Sequence, residues 1–290
     1  MTGRRLFVFG LGYTARHLAQ SWLAEGWRVA GTFRNESAAA LGDLEIETYR
    51  FDRDHPLSDF GAALAGTTHL LSSVPPDGDG DLVLDCHGRD IAALEGLEWA
   101  GYLSTTGVYG DREGGEVDES SALSPTSERG RRRAAAEAGW LALHEAHLLP
   151  VHIFRLAGIY GPGRSALDAV RAGTARRIAK PGHIFSRIHV DDIVATLRAS
   201  AARPNPGAVY NLCDDHPAAG EAVIAYACKL LKIEPPALIP IGEAGLSPMA
   251  ASFYRDSKRV SNARIKRELG VRLQFPDYRA GLEAILEGEA

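Results

Sequence analysis

Between the first apolar run of the chain, Arg5 to Phe9, and its first helical stretch lies Gly10-Leu-Gly12-Tyr13-Thr14-Ala15. A strand, a G-x-G-x-x-A turn and a helix in immediate succession leave few folds open. The first glycine permits a tight turn and the second lets backbone approach a pyrophosphate. The small Ala15 lets the helix close on the strand, and the N–H groups at the helix start favour an anion. The plainer alternative is a tight turn with no ligand. The next hundred residues argue for the nucleotide, because short apolar runs at Arg28 to Thr32, Ile46 to Phe51, His69 to Val74 and Gly101 to Ser104 alternate with helical or loop segments. That is the pattern of βαβ units in a doubly wound parallel sheet, the Rossmann arrangement of an α/β protein.

The rest of the chain extends this reading. A long helix is predicted from Ser127 to His147, then a strand Val151 to Phe154 expected centrally in the sheet. A last strand comes at Val209 to Leu212, with helices near Ile193 to Ala201, Glu221 to Leu231 and Tyr278 to Leu286. The stretch Pro75 to Asp81 reads as loop. Domain organisation is expected as 1–160 for nucleotide binding, with 188–212 returning to it, and a smaller substrate-binding lobe made of 161–187 and 213–290. Among 290 residues, 45% are hydrophobic, enough for a full core, and a net charge of -5 without a basic stripe gives no support for nucleic acid or an anionic membrane as partner. Cys86, Cys213 and Cys228 form no C-x-x-C pattern. They read as reduced packing residues, no metal is expected, and with no apolar run long enough to span a bilayer the expected location is the cytoplasm.

Three positions refine the cofactor. An acidic residue at the end of the second strand would bind a ribose 2'-hydroxyl, but the sequence there is Gly31-Thr-Phe-Arg34. The planar guanidinium of Arg34 suits a 2'-phosphate, so NADP is expected with NAD possible, unless Arg34 is an ordinary loop residue. Asp52 is a candidate acceptor for the adenine amino group, and Ser72, Ser73 and Val74 are candidates to line the adenosine ribose. Each also reads as a loop-capping position.

Together with Leu103-Ser-Thr-Thr-Gly-Val-Tyr109-Gly, Phe154-Arg155-Leu-Ala-Gly-Ile-Tyr160-Gly-Pro-Gly163, Ile188-His189-Val-Asp-Asp192-Ile and Val209-Tyr-Asn211-Leu, these residues resemble the extended short-chain dehydrogenase/reductases, notably the nucleotide-sugar epimerases and dehydratases. The resemblance covers nearly the whole chain. It implies a sheet of about seven strands, a C-terminal substrate-binding lobe, and segments around 160–165, 185–189 and 256–259 turned toward substrate. It makes Tyr160 and Arg187 candidate substrate-binding residues, and Thr105 the hydroxyl that polarises a substrate oxygen. His189 with Asp191 and Asp192 reads either as an acid/base pair or, preferably, as a structural junction.

The family's acid/base Tyr and the Lys four residues later would fall on the long helix, in a frame of Pro, Tyr, Lys and Glu at intervals of four. Here Pro125 and Glu137 keep the frame, and the intervening positions are Arg129 and Arg133, as in the atypical members of the group. An arginine cannot relay a proton, although Arg133 can replace the lysine as a cation on the cofactor ribose. Tyr109 is the remaining phenol of the motif. Two functions compete: an oxidoreductase or epimerase acting on a small anionic, sugar-like or nucleotide-linked substrate with a non-standard site, and a degenerate NADP(H) sensor. A homodimer through the long helix is a further expectation from the resemblance.

Overall fold

In the computed structural model of the protein, residues 3–34 and 45–288 are described. Seven strands form one parallel sheet: β1 (Arg5–Phe9), β2 (Arg28–Phe33), β3 (Glu47–Arg50), β4 (His69–Ser72), β5 (Trp99–Thr105), β6 (Val151–Leu156) and β7 (Val209–Leu212). Their spatial order is β7-β6-β5-β4-β1-β2-β3. Every residue of β1, β4 and β6 is buried, as expected of strands covered on both faces. The sheet therefore confirms the Rossmann class. It places β6 beside the edge strand rather than centrally, and the middle belongs to β4 and β1. Between those two the strand order reverses, and at such a switch point α/β sheets bind ligands beyond the carboxyl ends of the strands.

Local chemistry explains the exceptions to this apolar pattern. Arg5 opens β1 as a buried charge, and its guanidinium donates to the carbonyls of Ala63 and Ala65 at 2.8 and 2.9 Å and pairs with Glu47 at 3.0 Å. A buried charge is tolerable only when so satisfied. At the base of the sheet, His69 and His152 lie among Trp22, Trp27, Trp99 and Phe154. Burial pushes both imidazoles down to about 4.

Helices α1 (Tyr13–Leu23), α2 (Leu82–Ala92) and α3 (Glu128–His147) belong with the sheet. Sequence reasoning missed α2: Gly88 and a non-helical backbone at His87 interrupt its periodicity. Two compact units result. The first comprises 1–105, 128–155 and 194–210; the second comprises 106–127, 156–193 and 211–290, so residues 106–127 group with the second.

In the second unit, three short parallel pairs form: Gly158–Tyr160 with Arg187–His189, Arg177–Ala179 with Leu238–Pro240, and Glu116–Val117 with Arg259–Val260. Its helices include α4 (Ala166–Arg171), α6 (Gly220–Leu231), α7 (Pro248–Arg255), α8 (Ala263–Leu269) and α9 (Tyr278–Gly288), while α5 (Val190–Ala202) runs on into the first. Leu167, Val170, Val223, Ala227, Cys228, Leu282 and Ile285 close a core between α4, α6 and α9. All three cysteines are free. Among the described residues, no cluster of three His, Cys, Asp or Glu could hold a metal, and no helix is long and apolar enough to cross a membrane.

Candidate dinucleotide and substrate site

The turn after β1 is built as its sequence requires. Gly10 adopts φ +85°, and its N–H donates to the Thr32 hydroxyl at 2.9 Å while the Ser73 hydroxyl donates to its carbonyl at 2.5 Å. A Cβ there would lie 3.1 Å from both Ser73 and Val74. Gly12 behaves differently: its backbone is ordinary, at φ -79°, but its Cβ position faces open space with no atom within 4 Å. Gly12 precedes α1, whose N-terminus has no side-chain cap and no acidic residue in its first turn. This leaves a helix end of positive potential for an anion. Thr14 and Ala15 are buried against the sheet, and the half-buried Tyr13 ring lies 4.6 Å from His17.

At the end of β4, the Ser72 hydroxyl is fully buried and has no hydrogen-bond partner among the described residues, and Val74 is buried beside it. An orphaned hydroxyl next to an open glycine turn fits a site that a ligand completes. Arg34 is exposed at the end of β2, just before residues 35–44, which lie outside the described residues. The Asp52 carboxylate is occupied locally, by the His55 ring at 2.6 Å, the Asp54 N–H at 3.0 Å and Arg50 at 3.3 Å. The His55 contact holds its pKa below the usual range. As placed, Asp52 closes its own turn.

The arginines on α3 diverge. Arg129 is exposed in the first turn, whereas Arg133 is 8% exposed and its guanidinium donates to the Leu103 carbonyl at 2.6 Å and the Tyr102 hydroxyl at 3.0 Å. No carboxylate among the described residues is in ion-pair contact with Arg133, so its charge is unpaired. One turn further, Glu137 accepts from the Ser104 hydroxyl at 2.5 Å and from Arg155 at 2.7 Å, all three buried. Two contacts therefore brace the end of β5, where Thr105 is half-buried. Sequence reasoning kept Glu137 only as a frame marker; the polar Arg155 inside an apolar strand was the available signal for a buried pair.

In the second unit, Tyr109 is fully buried and its phenol donates to Asn211 at 2.7 Å. Gly110 comes next with φ +70°, and a Cβ on it would fall 1.9 Å from the Ser124 carbonyl, which explains the Tyr-Gly pair. The phenol is thus held as an anchor within the second unit. Tyr160, 7% exposed, packs on Gly281 and donates to the Asp277 carbonyl at 3.3 Å; burial holds its pKa far above the ordinary phenol value. It packs in the core of the second unit. Arg187 is half-buried and donates to the carbonyls of Phe185 and Ala218 at 3.0 and 2.9 Å. Asp192 accepts from the backbone of Gln274 and Phe275, and His189 packs 4.0 Å from Phe275, which makes this cluster a structural junction.

One Tyr-x-x-x-Lys spacing does occur, at Tyr254 and Lys258. Lys258 donates to the Gly110 carbonyl at 2.7 Å, and burial raises the Tyr254 pKa while Arg187 and Arg176 oppose it. The lysine does not activate that phenol.

The glycine turn at the switch point of a seven-stranded parallel sheet defines a Rossmann-type α/β protein. A model of the NAD dependent epimerase/dehydratase family matches residues 89–213. The chain is 50% identical to a conserved protein of unknown function from Silicibacter pomeroyi DSS, whose structure superposes with TM-score 0.89 over 98% of this chain and 99% of that one. It is 28% identical to the Escherichia coli (strain K12) protein YeeZ over 94% of this chain and 97% of YeeZ. The structure of UDP-glucuronic acid 4-epimerase from Bacillus cereus in complex with NAD superposes with TM-score 0.78 at 17% identity, over 98% and 96% of the two chains. Over residues 89–213 the chain thus matches the NAD dependent epimerase/dehydratase family, and it shares the fold of such enzymes.

Proposed function

We propose that the protein is an NAD(P)-binding oxidoreductase or epimerase, NADP-preferring, acting on an anionic, nucleotide-linked or sugar-like substrate with a non-standard active site. The observation that carries the reading is the Gly12 cradle: open space at its Cβ position, beside an uncapped helix N-terminus. A bound dinucleotide would supply hydride transfer there. Gly10, Gly12 and the first turn of α1 hold the pyrophosphate, Ser72 gains the partner it lacks, and Arg34 takes the 2'-phosphate. Arg133 spends one amino group on Leu103 and Tyr102, which leaves it donors for the nicotinamide ribose, the family lysine's task. Thr105 polarises the substrate oxygen, and Arg187 faces the substrate's anionic part. The location follows as cytoplasmic.

A second reading, a dinucleotide sensor without turnover, draws on the burial of Tyr109 and the absence of a phenol at position 129. The test is a calorimetric titration with NADPH and NADH of the wild type, Arg34→Ala and Gly12→Val. The expected result is binding of NADPH over NADH, with the preference lost in Arg34→Ala and all binding lost in Gly12→Val. Absence of binding to either nucleotide rejects both readings. Binding without oxidation, reduction or epimerisation of any UDP-sugar selects the sensor.

A further inference from the structure

Asp214 is the second residue after β7 and is 2% exposed, yet among the described residues neither of its carboxyl oxygens has a hydrogen-bond partner. A buried carboxylate so placed is costly, and the group responds by keeping its proton. Burial pushes its pKa up to about 8, with Arg187 opposing and Asp215 adding to the rise. The backbone of His216 and of Arg187 lies close without completing a hydrogen bond to it. Its own N–H donates to the Arg187 carbonyl at 2.6 Å, which ties the two residues together through the main chain. Arg187 in turn is tethered by two carbonyls and is in no ion pair among the described residues.

We propose that Asp214 is the positioning residue that sets how much charge Arg187 presents to an anionic substrate. While Asp214 holds its proton, the guanidinium is uncompensated and available. Once it loses the proton, the new carboxylate competes with the substrate for that charge. This rests on the reading that Arg187 faces substrate.

The other groups around the pair do not supply the same switch. The Asp215 carboxylate is already engaged by Lys266 and Asn262. Tyr160, with Asp192 and Asp277 near it, faces Asp214 from the neighbouring strand, and Tyr254 and Tyr278 face Arg187. Burial raises the Tyr160 and Tyr254 phenols and the Cys213 thiol, so these stay protonated through pH 9. His216, two residues away, is the one imidazole on the same loop and serves as the control.

The experiment monitors the Arg187 Nε–H resonance of the full chain from pH 6.5 to 9.5 in the wild type, Asp214→Asn and His216→Gln. The expected result is an inflection near pH 8 in the wild type and in His216→Gln, absent in Asp214→Asn. In parallel, the affinity for UDP, measured by calorimetry, should fall about tenfold between pH 7 and pH 9 in the wild type and stay flat in Asp214→Asn. An inflection that survives Asp214→Asn, or none in the wild type, overturns the proposal. An inflection lost in Asp214→Asn but with no UDP binding at any pH overturns the nucleotide-linked substrate instead, and supports the coupling of Asp214 to Arg187.

Discussion

His69 offers a measurement whose size follows from burial alone. It opens β4 at 2% exposure, with Trp27 at 4.7 Å, Trp22 at 5.7 Å and Trp99 at 6.2 Å between ring centroids. Burial is the main cause of its pKa falling from 6.5 to about 4, and the charge of Arg4 adds to it. In the folded state the ring is neutral through most of the acid range, whereas in the unfolded chain it takes a proton below pH 6.5. Its contribution is therefore complete above pH 6.5 and is lost as the pH falls toward 4. At about 1.4 kcal/mol per unit, the full loss is about 3 kcal/mol, of which about 2 kcal/mol is gone at pH 5. Other groups titrate in the same window, Asp214 among them with the opposite sign, so absolute stability is the wrong observable. The useful one is the difference between the wild type and His69→Phe, a ring of similar shape that takes no proton. Urea unfolding at pH 7.5 and pH 5 should show the variant gaining about 2 kcal/mol relative to the wild type on acidification. A difference unchanged between the two pH values would mean that the ring is not held neutral, and the burial argument would fail for His152 as well.

Glu137→Gln removes the carboxylate that pairs with the buried Arg155, and should cost about 3–5 kcal/mol in urea unfolding; a cost below about 1 kcal/mol would show that the pair is hydrated. Gly10→Ala combines a left-handed backbone with a 3.1 Å contact to Val74 and should lose about 1–2 kcal/mol of stability, whereas Gly12→Val should unfold like the wild type but fail to bind NADPH. Tyr109→Phe strands the Asn211 oxygen and should lose about 1–2 kcal/mol with turnover per folded molecule unchanged. A selective loss of turnover at normal stability would return that phenol to the active site.

The sheet was legible wherever burial on both faces wrote an uninterrupted apolar run, and the turn after β1 because its glycines fall directly between a strand and a helix. The strand order near β6 was not, since adjacency in sequence does not say which neighbour closes the edge. The short strands of the second unit escaped notice because pairs of two or three residues leave no periodic trace. The site was legible as a frame and less so as geometry. Spacing placed Arg129 and Arg133 four apart on one helix, but a position in the first turn of α3 is exposed while the next turn is buried. Motif membership likewise said that Tyr109 and Tyr160 matter, without saying that both phenols are spent inside the second unit.

The α3 frame carries two inward-facing polar residues. In a helix, positions four apart lie on one face, and here Arg133 and Glu137 both turn inward onto the end of β5, one through the Leu103 carbonyl and the other through Ser104. The arginine therefore rigidifies the strand end that carries Thr105 and keeps a cation at the same helical position. Position 129 holds an exposed arginine, whereas position 133 holds a buried one that clamps the strand end.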